Sequence, residues 1–179
     1  DFLMFLDSDD TLSVGLLESC AQKLNQTCSD ILVFGYQRVA ADGKILMSSV
    51  PNVEDSKKLM LEEQYDLSLL LVIKIYNRVL FDGIDLERLK GITFSEDSIL
   101  AIDLLAKTEK ICFLPVIGYN YLCRENSATQ GMTERHNLDE LKSTKIIASI
   151  LVIASGIIAL YVVNLSTTEN VADVENPII

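Results

Sequence analysis

Three carboxylates lie close together near the start of the chain, at Asp7, Asp9 and Asp10. They follow an apolar run at residues 2–6, which is typical of a short strand buried on both faces of a sheet. Asp disfavours strands and favours turns, so we expect the strand to end near Asp7 and the carboxylates to lie at the rim of the sheet. Such carboxylates repel one another unless a cation lies between them, and their hard oxygen atoms suit Mg²⁺ or Mn²⁺. The pattern predicts a metal site; the alternative is that Asp9 or Asp10 caps the next helix.

A second acidic pair, Glu96 and Asp97, begins a strongly amphipathic segment that predicts a helix over residues 97–108. The helix dipole favours acidic side chains in a first turn. The position of Glu96 and Asp97 at the start of a helix is therefore compatible with a structural role, in which they stabilise the helix, and with a chemical role.

The remaining pattern alternates helices and strands and predicts an α/β protein. Helices are expected at 13–25 and within 54–71. Strands are expected at 31–39 and 45–48, joined by an Asp-Gly hairpin turn, and at 72–78, 110–115 and 116–123. Tyr119 and Tyr121 point the same way from the last strand.

The net charge of the chain argues against one class of binding partner. The net charge is −11, without a basic cluster, which argues against binding to a nucleic-acid backbone. The single histidine, His136, lies in a polar stretch, and we expect it to be solvated; a metal-ligand role is the alternative.

Residues 146–163 carry no charged side chain, and their few polar residues form no polar helical face. This pattern excludes a surface helix and leaves a buried helix or a membrane span, for which the length just suffices. Because Lys142 and Lys145 precede the run and acidic residues follow it, the membrane span is favoured, with the residues before Lys145 on the cytoplasmic face. We expect an α/β region at 1–132, a polar linker at 133–145, a hydrophobic helix at 146–165 that associates with the membrane, and an acidic tail at 166–179.

The chain resembles the C-terminal two-thirds of the catalytic domain of a family-2 glycosyltransferase with the GT-A fold. The resemblance covers about residues 2–129 and implies that residues 1–132 form a partial catalytic domain, on the cytoplasmic face of the membrane. Four segments carry it, in the order of the family's motifs: Phe5-Leu6-Asp7-Ser8-Asp9-Asp10, Lys74-Ile75-Tyr76-Asn77-Arg78, Phe94-Ser95-Glu96-Asp97, and Tyr119-Asn120-Tyr121 followed by Ser127. The chain begins directly in a strand and has no counterpart of the family's first strands, so we expect an incomplete GT-A-like mixed sheet flanked by helices that lacks the nucleotide-binding strands.

The resemblance implies transfer of a sugar from a nucleoside-diphosphate-sugar to a hydroxyl of a glycan or lipid-linked glycan, with inversion at the anomeric carbon. It implies that Asp7 and Asp9 bind the donor, together with Asp10 as ligands of Mg²⁺ or Mn²⁺. Asp97 is then the general base, with Glu96 beside it. Tyr119 and Tyr121 are candidates for the acceptor side, with packing in the core as their alternative.

Two alternatives stay open. The spacing of Asp7, Asp9 and Thr11 after an apolar strand also fits a haloacid-dehalogenase-like phosphatase, in which Asp7 is the nucleophile and Asp9 the acid/base. The third interpretation is a membrane-tethered, inactive fragment.

Overall fold

The computed structural model of the chain describes residues 1–52, 57, 61–62, 64–124 and 134–155. The strands in these residues are β1 (Phe2–Met4), β2 (Thr11–Leu12), β3 (Ile31–Ala40), β4 (Ile45–Ser49), β5 (Lys74–Asn77) and β6 (Ile111–Cys123). The helices are α1 (Leu16–Thr27), α2 (Tyr65–Leu69), α3 (Glu96–Ala106) and α4 (Glu134–Ser155), with 3-10 turns at Arg78–Phe81 and Leu86–Leu89. The mixed α/β architecture predicted from the sequence is confirmed.

The sheet is mixed, and β3 lies at its centre. The strand order is β1-β5-β3-β6-β2, with β4 paired to β3 outside this path. β3 and β6 are parallel, and the other pairs are antiparallel. Because β1 and β2 lie at opposite ends of this order, residues 5–10 connect one edge of the sheet to the other. The acidic segment is therefore held at both of its ends.

The core forms around the first half of β3, where Ile31, Leu32, Val33 and Phe34 are fully buried. α3 contributes Ile99, Ile102 and Leu104 to the same cluster, and α4 packs against α3. This burial fixes α3, and with it the acidic pair at the start of the helix, against the sheet.

The prediction that the first strand is buried on both faces is wrong. Phe2 is 46% and Leu3 41% exposed. In the described part of the chain, β1 pairs only with β5, so it is an edge strand and its outward side chains lack cover. The strand ends at Met4, before Asp7.

The last strand is continuous, whereas the sequence predicted two strands separated after residue 115. The register between β6 and β3 shifts around Gly35, opposite the segment that contains Pro115. A proline has no N–H for the ladder, and a local irregularity accommodates it without ending the strand.

The segment expected to be a polar linker, 133–145, is helical from residue 134 onward and forms the first half of α4. Its inward face is built from Asp139, Ser143, Ile147 and Ile150, which recur at helical spacing and are all buried. The start of the apolar run therefore packs into the protein, as the buried-helix alternative required. Residues 156–165 of the expected hydrophobic helix lie outside the described residues. No helix in the described ranges is long and apolar enough to cross a membrane.

Candidate active site

Asp10 connects the acidic turn, which we define as residues 7–10, to β6 by hydrogen bonds. Its backbone N–H donates to the carbonyl of Asp7 at 3.2 Å, which closes the turn. Its side chain is buried, and its two oxygens accept hydrogen bonds from the Tyr119 hydroxyl and the Leu122 N–H, each at 2.7 Å. The capping alternative for Asp9 and Asp10 is wrong, because α1 begins after Gly15 without a side-chain cap.

Asp7 and Asp9 remain exposed beside this anchor. Partial burial raises the pKa of Asp7, and the negative charges of Asp10 and Asp9 raise it further. Asp9 Oδ2 lies 3.7 Å from a guanidinium nitrogen of Arg124, a residue that the sequence analysis did not single out. Both side chains are accessible to a cation, which at Asp9 would compete with the Arg124 guanidinium.

The residues that the structure describes contain no group of three or more His, Cys, Asp or Glu side chains that could hold a metal ion. A cation held by Asp7 and Asp9 would thus take its further ligands from water and from a bound molecule, which is the usual mode of Mg²⁺ with substrate phosphates. The donor set of hard carboxylate oxygens fits such an ion. A ligand role for Asp10 stays a prediction, since both of its oxygens already accept hydrogen bonds.

An aromatic cluster holds the chain on the way to the acidic turn. The Phe5 ring lies 6.2 Å from Tyr76 and 6.1 Å from Phe81, measured between ring centroids, and these two rings lie 6.0 Å apart. These contacts hold Phe5 against β5, two residues before Asp7. They therefore position the acidic turn at a point in the chain where the pairing of β1 with β5 has already ended.

Asp97 lies in the first turn of α3, which begins at Glu96 and ends at Ala106, close to the predicted bounds. Its side chain reaches the surface but is surrounded by enough protein to raise its pKa above the ordinary value. The neighbouring charge of Glu96 acts in the same direction, whereas hydrogen bonds from Ser98, at 2.8 Å from N–H and 3.4 Å from the hydroxyl, act in the opposite one. A carboxyl with a raised pKa at the surface is suited to proton transfer.

β5 lies between the two acidic sites. Lys74 is fully buried, and its ammonium donates to the carbonyls of Leu67, at 2.7 Å, and Leu70. Burial lowers the pKa of Lys74 to about 7, against the opposing effect of the Asp97 charge. The Asp97 charge also adds to the effect of burial in raising the pKa of Tyr76, whose ring packs on Phe5. β5 is therefore close to both acidic sites: Tyr76 packs on Phe5, and the Asp97 charge acts on Lys74 and Tyr76.

Sequence reasoning recognised residues 74–78 as a family segment but assigned Lys74 no role. A lysine at an inward position of an otherwise apolar strand was the available signal, because a buried ammonium needs specific partners.

The two tyrosines of β6 differ in their surroundings. Tyr119 is 1% exposed, and its hydroxyl also accepts a hydrogen bond from the Asp7 N–H at 3.3 Å. Tyr121 is half-buried, with the guanidinium of Arg38 5.8 Å from its ring centroid. The structure therefore places Tyr119 beneath the acidic turn and leaves Tyr121 the more accessible ring. Ser127 lies outside the described residues.

Comparison with known proteins relates the chain to others by fold. No protein-family model matches it, and no curated protein matches it in sequence. The fold is similar to that of S. aureus TarS residues 1–349 in complex with UDP, with a TM-score of 0.57, 20% identity, and coverage of 86% of this chain and 41% of that chain. The same TarS region in complex with UDP-GlcNAc gives a TM-score of 0.58, 20% identity, and coverage of 86% and 43%. The chain thus spans about two fifths of the length of the TarS chains that it matches.

Proposed function

We propose that this chain is part of a glycosyltransferase that moves a sugar from a nucleoside-diphosphate-sugar to a hydroxyl group of a glycan or lipid-linked glycan. The observation that carries the proposal is the fold shared with TarS, a glycosyltransferase whose structures include complexes with UDP and UDP-GlcNAc. Membership of glycosyltransferase family 2, with its GT-A fold, belongs to the same proposal, supported by the four motif segments.

On the donor side, Asp7 and Asp9 are the two exposed carboxylates of the acidic turn. We assign them to the donor diphosphate and to Mg²⁺ or Mn²⁺, and a bound divalent cation would neutralise the charge that develops on the leaving phosphate oxygens. Asp7 can instead accept a hydrogen bond from the donor ribose. Asp10 and Tyr119 hold the turn in place from below, which favours a supporting role for both over direct contact with substrate.

On the acceptor side, Asp97 takes the proton of the acceptor hydroxyl as its oxygen attacks the anomeric carbon and the bond from that carbon to the diphosphate breaks. The raised pKa of Asp97 supports this role, because a carboxylate with a higher pKa is the stronger base once deprotonated. Direct attack from the opposite side inverts the anomeric centre. Tyr121, the more accessible of the two tyrosines, is the candidate for stacking on the acceptor sugar.

The experiment is sugar transfer from UDP-sugars by the protein at its natural length, with Mg²⁺ or Mn²⁺ present. Asp97→Asn should lower transfer by at least about 100-fold, because a carboxamide cannot accept the proton. Glu18→Gln is the matched control, since Glu18 is an exposed carboxylate on α1, and it should retain wild-type transfer. Full activity of Asp97→Asn would exclude Asp97 as the base.

A second assay addresses the phosphatase alternative. Hydrolysis of p-nitrophenyl phosphate that is abolished by Asp7→Asn would favour that class of enzyme, and the proposal predicts that the protein does not hydrolyse this substrate. Membrane association through residues 146–165, with the catalytic part on the cytoplasmic face, stays a prediction.

A further inference from the structure

The segment that leads into Asp97 is bonded to α4. Asp139, 2% exposed, accepts hydrogen bonds at Oδ2 from both the N–H of Thr93, at 2.9 Å, and its hydroxyl, at 3.0 Å. Its Oδ1 lies 3.5 Å from the ammonium of Lys142, one turn further along α4. A buried carboxylate is costly unless it is fully partnered, and here Thr93 and Lys142 together supply the partners.

The next residue, Phe94, is held by α4 as well. The Ser143 hydroxyl lies 3.3 Å from the carbonyl of Phe94 and 2.9 Å from that of Asp139, and donates to one of them at a time. The His136 ring stacks on the Phe94 ring at 4.9 Å between centroids. His136, Asp139 and Ser143 are spaced by one helical turn and therefore act from one face of α4.

The residue between this contact and the acidic pair has an unusual backbone. Ser95 has φ 64°, in the left-handed region, which side-chain-bearing residues adopt at a cost. Such a conformation persists where the surrounding structure holds it in place. The hydrogen bonds at Thr93 and Phe94 hold the chain directly before Ser95, and α3 holds it directly after.

We propose that Asp139 is a positioning residue for Asp97: through Thr93, it fixes the strained turn from which the acidic pair projects, so that α4 sets the orientation of the base. This inference rests on the proposed function, because it assigns α4 a role in that reaction. A side chain needed only for packing at this place would be apolar. The buried carboxylate of Asp139 instead accepts hydrogen bonds from both donors of Thr93, its N–H and its hydroxyl, and so specifies the path of the backbone at this residue.

The test combines a structural readout with a kinetic one. In Asp139→Leu, which has a similar size and no acceptor for the two Thr93 donors, amide hydrogen exchange over residues 93–98 should accelerate at least about 10-fold, while exchange in β3 stays as in the wild type. In the transfer assay, kcat should fall at least 10-fold with the KM for the donor within twofold, because the base is displaced while the donor side is untouched. Glu140→Gln, an exposed carboxylate on the same helix, is the control and should match the wild type in both readouts.

Thr93 supplies the second pair of variants. Thr93→Ser keeps both donors and should behave as the wild type, whereas Thr93→Val loses the hydroxyl donor and should lower kcat without changing the KM for the donor. The Thr93 variants test the inference if Asp139→Leu fails to fold. Wild-type exchange over 93–98 in folded Asp139→Leu, or wild-type kcat in Thr93→Val, would overturn the inference. Faster exchange together with no sugar transfer by the wild type would instead refute the proposed function, and with it the catalytic meaning of this contact.

Discussion

Replacement of Lys74 by methionine should change how the stability of the protein depends on pH. Lys74 is fully buried and has a pKa of about 7 in the folded chain, against 10.5 for the ordinary side chain. Methionine has a similar shape and no titrating group. The difference in the free energy of unfolding between wild type and Lys74→Met therefore isolates the titration of this one ammonium.

The sign and size follow from the two pKa values. Between them, the unfolded chain holds a proton on Lys74 that the folded chain has lost, so the free energy of unfolding rises with pH, by up to about 1.4 kcal/mol per pH unit. Burial of the charged form of Lys74 destabilises the folded chain. This destabilisation is fully present below the folded pKa and disappears as the pH approaches 10.5. Relative to Lys74→Met, the wild type should gain roughly 2 kcal/mol between about pH 7 and about pH 9.

The assay is urea unfolding followed by circular dichroism at several pH values across this range. Lost hydrogen bonds from Lys74 to the α2 region shift the variant by an amount that does not vary with pH, so the slope alone is diagnostic. Lys44→Met is the control, because Lys44 is exposed in the hairpin turn and stays in water in both states. A wild-type-minus-variant difference that is constant from about pH 7 to about pH 9 would refute the burial of a titrating ammonium at this position.

Two further changes test the packing around the site, each by urea unfolding. Gly35→Ala should destabilise the protein by about 3 kcal/mol, because the added Cβ has no room. It would lie 2.5 Å from the carbonyl oxygen of Ser49 and 2.9 Å from that of Val116, and these backbone atoms cannot rotate away. Unchanged stability would contradict the close packing of the strands around Gly35. Tyr119→Phe should lower the free energy of unfolding by about 1–3 kcal/mol, because it removes the hydroxyl that donates to the buried carboxylate of Asp10. A change below about 0.5 kcal/mol, which is typical of a surface site, would contradict the role of Tyr119 in holding Asp10.

Local patterns predicted those elements whose own residues determine them. The largely apolar run at 31–39 became β3 (Ile31–Ala40), the Asp-Gly signal became the turn to β4 (Ile45–Ser49), and the amphipathic run after Glu96 became α3 (Glu96–Ala106). In each case, the periodicity and the turn residues agree with the burial that the tertiary structure provides.

The differences between the sequence predictions and the structure concern properties set by distant parts of the chain. The apolar run of β1 does not encode whether the strand is central or at an edge, which depends on the pairing partner, β5. The polar residues of α4 suggested a linker, because nothing in their own sequence indicates that Asp139 meets Thr93, 46 positions away. For the same reason, the spacing of Asp7, Asp9 and Asp10 could not separate the exposed pair from the buried Asp10, whose partners come from β6.

The central claim is that Asp97 is the base of a sugar transfer, and the pH dependence of transfer at saturating donor tests it most directly. Because Asp97 must be deprotonated to act, and burial raises its pKa above the ordinary 3.8, the wild-type rate should fall on acidification at a higher pH than an ordinary aspartate would give. Asp97→Asn should leave a rate at least about 100-fold lower that lacks this acid limb. An Asp97→Asn protein that transfers sugar with the wild-type rate and the wild-type acid limb would contradict the account.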